Sequence, residues 1–142
     1  MQNQVQLLFV YGSLRSGFHH PAYEYMARNF QLLGPAVVKG KLYDMGEYPV
    51  AKPTTEDQFI KGELYAVNEN SDFGYVISQI DDYEGLHVEE GEKPLYSREL
   101  TTAFINDQLV TAWVYWFNEN VDGLTQLATG DMLEYLQQKN KS

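Results

Sequence analysis

Leu7-Leu8-Phe9-Val10-Tyr11 is an unbroken apolar run that stops at Gly12. A short apolar run closed by a glycine predicts a strand buried on both faces. Pro21–Asn29 predicts a short helix with proline in its first turn. Four β-leaning segments lie further along: Ala36–Tyr43, Phe59–Val67, Tyr96–Ile105 and Leu109–Phe117. In the second of these, Leu64 and Ala66 oppose Tyr65 and Val67, so this strand is expected to be largely buried. Asn106-Asp107, between the last two segments, predicts a hairpin turn. Elsewhere the period is helical. Phe73, Val76, Ile77 and Ile80 recur at i, i+3, i+4 and i+7, with Ser71 or Asp72 as the cap and Gly85 as the stop. Gly130–Gln138 predicts a closing helix with Met132, Leu133, Tyr135 and Leu136 on its apolar face. Five or six strands, mostly in hairpin-like succession, and about three helices imply an α+β fold. Its sheet is expected to curl or close into a small mixed or antiparallel β-barrel carrying the helices.

The chain length of 142 residues predicts a single domain, residues 1–142. Neither a linker nor an internal repeat divides it. The densest charge run, Glu89-Glu90-Gly91-Glu92-Lys93, reads as a solvated loop. Composition narrows the function. With 20 acidic and 10 basic side chains the formal net charge is −10, which repels nucleic acid and anionic lipid. The absence of cysteine excludes disulfides, thiolate nucleophiles and Cys-zinc sites, and it suits a cytoplasmic protein. No apolar run approaches the roughly 18 residues of a membrane span. Met1–Gln6 is polar and uncharged, unlike the start of a signal peptide.

Several kinds of chemistry are excluded or demoted. Gly12-Ser13-Leu14-Arg15-Ser16-Gly17 opens like a phosphate loop, but Phe18 and His19 follow where that loop needs Lys and Ser or Thr. Ser13 does not stand in a nucleophile-elbow motif, and His19, His20 and His87 belong to no recognisable catalytic or metal pattern. Asp81-Asp82 with Glu84 lacks calcium-loop spacing. No metal site is expected.

Two features are less ordinary. At roughly 100° per residue, Glu84 falls within about 30° of the centre of the apolar stripe of its helix, whereas Asp82 falls near the opposite side. A carboxylate on that stripe must be paired, neutralised or turned to a cavity. Burial raises its pKa toward the range of a general base working near neutrality. A last-turn glutamate that swings out to water, or caps a neighbouring backbone group, fits the same spacing. The second feature is Tyr11-Gly12-Ser13-Leu14-Arg15, where a buried strand runs directly into a polar loop. Successive backbone N–H groups at such a strand end form an anion-binding concavity, and Gly12 lets a ligand approach the backbone. An ordinary glycine turn has the same appearance.

Phe9-Val10-Tyr11-Gly12-Ser13-Leu14-Arg15 resembles the opening signature of the gamma-glutamylcyclotransferase-like family, in particular its gamma-glutamylamine cyclotransferase branch. The resemblance continues in order. Gly34-Pro35 and Gly40-Lys41-Leu42-Tyr43 resemble the family's second strand region, Tyr48-Pro49 its YP turn and Gly62-Glu63-Leu64-Tyr65 its GELY strand. Ile80-Asp81-Asp82-Tyr83-Glu84-Gly85 resembles its LDxYEG helix end. Tyr96-Ser97-Arg98, Ala112-Trp113-Val114-Tyr115 and Thr129-Gly130-Asp131 complete the set. Two departures stand out: Met132 where relatives often carry tryptophan, and the segment Ser16–Pro21.

The resemblance implies a small β-barrel with packed helices and a cavity at one end. It also implies a reaction on a small-molecule γ-glutamyl amide, which its own α-amine cleaves to 5-oxoproline and a free amine, with no cofactor. The family's acid/base glutamate matches Glu84. The loop that holds the glutamyl moiety matches Tyr11, Gly12, Ser13 and Leu14. Tyr115, on the matching late strand, is a candidate pocket hydrogen-bonder or a core tyrosine. A non-catalytic γ-glutamyl-binding module and an amide hydrolase using the same glutamate are the competing functions. The motifs leave the leaving amine and the oligomeric state open.

Overall fold

The computed structural model describes residues 6–11, 28–44, 49–68, 72–84, 96–127 and 130, with the backbone alone at 82–84. Its strands are β1 (Leu7–Val10), β2 (Phe30–Lys39), β3 (Lys41–Asp44), β4 (Pro49–Lys52), β5 (Phe59–Val67), β6 (Tyr96–Ile105), β7 (Gln108–Phe117) and β8 (Thr125–Gln126). One helix, α1 (Phe73–Glu84), stands between β5 and β6. Strands β1, β5, β2, β6 and β7 close into a barrel in that order, and β4, β3 and β8 form a separate three-stranded sheet. Closure comes from a parallel pairing of β1 with β7 at Leu8 and Trp113, while the other barrel pairings are antiparallel. This is the α+β barrel that the sequence predicts.

The period-2 alternation of the strands sorts the apolar side chains into two clusters. On β7, Ala112, Val114 and Trp116 join Phe9, Val38, Ile60, Leu64 and Ala103, which come from all five barrel strands and so fill its interior. The alternate residues Trp113, Tyr115 and Phe117 face outward and pack with Phe73, Val76, Ile77 and Ile80 of α1. β1 serves both clusters, with Phe9 inside and Leu8 and Val10 under the helix. It is therefore buried on both faces, as its unbroken apolar run predicts. Each of these large side chains contributes about 1.5–3 kcal/mol of burial free energy, which fixes α1 against the β1–β7 seam.

The helix begins where its sequence asks. The Tyr75 N–H donates to Asp72 Oδ1 at 3.1 Å and the Val76 N–H to the Asp72 carbonyl at 2.9 Å, so Asp72 is the cap. The hairpin between β6 and β7 turns on Asn106 (φ 50°) and Asp107 (φ 63°), the left-handed pair of a type I′ turn. Three expectations need revision. The stretch Ala36–Tyr43 is two strands in different sheets, broken at Gly40, where a Cβ would lie 2.5 Å from Ile60 Cδ1. β2 starts earlier, at Phe30, and carries an irregularity between Leu32 and Gly34. The short strands β4 and β8 are additional. Of the expected helix Pro21–Asn29, Arg28 and Asn29 are helical and the rest lies outside the described residues. The expected helix Gly130–Gln138 lies outside them beyond Gly130, as does the stop at Gly85. No described helix is long and apolar enough to cross a membrane.

Gly62 controls how closely β1 and β5 approach. A Cβ there would lie 2.2 Å from the Val10 carbonyl oxygen and 2.7 Å from Phe9 Cζ. The clash would fall on backbone at the residue before Tyr11, so it could not be relieved by a side-chain rotation. Gly62→Ala is expected to lower stability by about 1–3 kcal/mol, seen as a lower urea midpoint at unchanged slope.

Candidate active site

The end of β1 and the last turn of α1 are joined through β7. The Tyr11 hydroxyl donates to the Tyr115 backbone carbonyl at 2.5 Å, and the Tyr115 hydroxyl donates to Asp81 Oδ1 at 2.7 Å. Both tyrosines are buried. Arg98 completes the group from β6. Its Nε donates to Asp81 Oδ1 at 2.8 Å and its Nη2 to Oδ2 at 3.2 Å. The strand register explains this meeting, because Arg98 stands directly across from Tyr115, and Leu100 across from Trp113. The Arg98 guanidinium also lies 4.4 Å from the centre of the Trp113 ring.

Asp81 is the one buried charged side chain among the described residues, 6% exposed. A lone carboxylate at such a depth is costly, and a two-pronged guanidinium with a tyrosine hydroxyl offsets that cost. The same bonds have a mechanical consequence. They fasten the C-terminal half of α1 to the β6–β7 ladder at a point one turn before the helix ends.

The sequence candidates fall as follows. Tyr11 and Tyr115 are brought together directly. Glu84 is the final residue of α1, three positions after Asp81, and its side chain lies outside the described residues. Gly12, Ser13 and Leu14 also lie outside them, as do His19, His20 and His87. Among the described residues no group of three or more His, Asp or Glu is arranged to hold a metal. Sequence reasoning missed Asp81 and Arg98. The signal for Asp81 was present: it follows Ile77 by four residues, at the edge of the apolar stripe, about 90° from its centre. Arg98 carries no such signal until α1 is known to cover its face of the sheet.

The site thus sits on a five-stranded closed barrel, with α1 held to it through Asp81 and Tyr115, and with the Tyr11 hydroxyl held by the Tyr115 backbone. The chain belongs to the family described as gamma-glutamyl cyclotransferase, AIG2-like, whose model matches residues 8–134. That span contains every motif from Phe9 to Asp131 that carries the resemblance. The chain is 31% identical over 128 residues to the gamma-glutamylcyclotransferase family protein YtfP of Escherichia coli K12, covering 89% of this chain and 96% of that protein. The solution structure of Escherichia coli ytfP superposes with a TM-score of 0.62 at 28% identity, covering 91% of this chain and 97% of that one. YkqA from Bacillus subtilis shares the fold, with a TM-score of 0.71 at 23% identity; the match takes in 98% of this chain but only 44% of that longer one.

Proposed function

We propose that the chain cyclises a γ-glutamyl amide, releasing 5-oxoproline and a free amine. Glu84 is the acid/base, and the loop of Tyr11, Gly12, Ser13 and Leu14 holds the glutamyl moiety. The observation that carries this reading is the buried tie from Tyr11 through Tyr115 to Asp81, which keeps the start of that loop and the last turn of α1 in one neighbourhood.

The chemistry asks little of the protein beyond this pairing. An α-amine has a pKa of about 8 and is mostly protonated at neutral pH. Glu84 takes its proton, and the freed amine attacks the γ-carbonyl carbon of the same molecule. A carbon–nitrogen bond forms to close the five-membered ring. Glu84 returns that proton to the leaving amine as its bond to the carbonyl carbon breaks, and the second proton of the ring nitrogen passes to the same amine, which departs as an ammonium. Atoms balance with no water consumed. Because nucleophile and carbonyl share a molecule, the main task is to fold the substrate into its ring-closing pose. The backbone N–H groups of residues 12–14 suit the α-carboxylate, with no cationic side chain required. Tyr115, the candidate pocket hydrogen-bonder, donates its hydroxyl hydrogen to Asp81.

The test is a panel of γ-glutamyl amides whose leaving amines are an amino acid, a lysine ε-amine and a polyamine. The expected result is 5-oxoproline from at least one member, in amounts equal to the amine released. Glutamate as the product would make the protein an amide hydrolase, and saturable binding without product would make it a binding module.

A further inference from the structure

We propose that Asp81 is a positioning residue for this reaction, acting by holding the last turn of α1, and so Glu84, in register with the end of β1. The inference rests on the reading of Glu84 as the acid/base. It goes beyond that reading by assigning a role to a partly buried ion pair that the chemistry itself does not use.

Three observations carry it. First, the pair is a weak source of net stability, since the desolvation of the buried Asp81 carboxylate and the partial desolvation of Arg98 offset most of their attraction. Apolar residues of similar size would pack α1 at least as well. Second, the pair is directional. The Asp81 carboxylate receives two Arg98 nitrogens, at 2.8 and 3.2 Å, and the Tyr115 hydroxyl at 2.7 Å, so it is constrained in orientation as well as depth. Apolar contacts from Val76, Ile77 and Ile80 hold the helix against the barrel, but the hydrophobic effect behind them is not directional. Third, the constraint is applied where it matters. Asp81 lies one turn before Glu84 on α1. Its partner Tyr115 accepts, through its own backbone carbonyl, the hydroxyl of Tyr11, the last described residue before Gly12. One buried chain of bonds thus links the helix end to the strand end. An acid/base displaced by about 1 Å loses on the order of 10²-fold in rate, so such a tie is visible in turnover.

The experiment is a kinetic cycle on the full-length protein with the γ-glutamyl amide that gives most 5-oxoproline. Asp81→Asn, Glu84→Gln and the double variant are compared for kcat and KM, below their melting midpoints. Asp81→Asn is expected to lower kcat by about 10–100-fold and to leave KM within about threefold. In the Glu84→Gln background the same substitution is expected to change the residual rate by less than about threefold, because residues acting through one group are not additive. If Asp81→Asn does not fold, Arg98→Lys serves instead. It keeps the cation but not the fork, and is expected to retain part of the kcat that Arg98→Met loses, again only while Glu84 is present. A merely structural ion pair would lower the melting midpoint and leave kcat of the folded enzyme intact, or would cost equally in both backgrounds; either result overturns the proposal. An impaired Glu84→Gln enzyme beside an unimpaired Asp81→Asn enzyme overturns this inference alone. A fully active Glu84→Gln enzyme overturns the reading of Glu84, and this inference with it.

Discussion

Glu84→Gln is expected to lower turnover by about 10²–10⁴-fold, the usual contribution of a positioned acid/base. Glutamine keeps the length and hydrogen-bonding size of the side chain but cannot take the proton of the α-amine or return it to the leaving amine. Affinity for the substrate should change far less, because the α-carboxylate is assigned to the Gly12–Leu14 backbone and not to Glu84. Stability should hold or rise, since a charge on the apolar stripe of a helix is removed. Asp82→Asn is the matched control. It is two residues away on the same helix, and at roughly 100° per residue it falls near the opposite side, so its effect should be small. Equal losses in the two variants, or an active Glu84→Gln enzyme, would mean that Glu84 is an ordinary helix-end acid.

Gly12→Val is expected to abolish substrate binding while the protein stays folded. β1 carries Leu8, Phe9 and Val10 in the core and is followed by Tyr11, whose hydroxyl is anchored on Tyr115. Gly12 is the next residue in the sequence. If the ligand carboxylate meets the backbone there, a β-branched side chain occupies its space. Binding is best read by calorimetry in the Glu84→Gln background, where turnover does not consume the ligand, with the melting midpoint as the check on folding. Normal affinity in a folded Gly12→Val protein would remove the loop from the site. Should that variant unfold, Ser13→Pro removes one N–H donor and puts the same question.

Much of the fold was legible because its longest elements repeat a simple period. β7 alternates between the barrel interior and the face under α1, and α1 repeats its apolar residues every three or four positions. The turn at Asn106-Asp107 was legible from residue type alone. What the pattern missed lacks a period. β4 and β8 are too short to show one, and β8 pairs with a strand some eighty residues earlier, at Asp44 with Thr125 and Tyr43 with Gln126. The first half of β2 exposes Leu32 and Leu33 and contains Gly34 and Pro35, so it reads as a loop. Gly40 breaks a continuous β-like stretch for a reason seen only in three dimensions, the closeness of Ile60 and Lys52. The site divides the same way. The helical period singled out Glu84, and the strand-to-glycine junction singled out Tyr11. Asp81 lay at the margin of the stripe, and Arg98 acquired meaning only through its cross-strand neighbour Tyr115 and the helix above them.

The central claim is that the substrate's own amine, not water, cleaves the γ-glutamyl amide. Turnover in water enriched in oxygen-18, with the products resolved by mass spectrometry, tests it most directly. Intramolecular attack predicts 5-oxoproline free of the heavy isotope, formed in step with the released amine. Glutamate carrying oxygen-18 in its side-chain carboxylate would show that water was the nucleophile and would contradict the account.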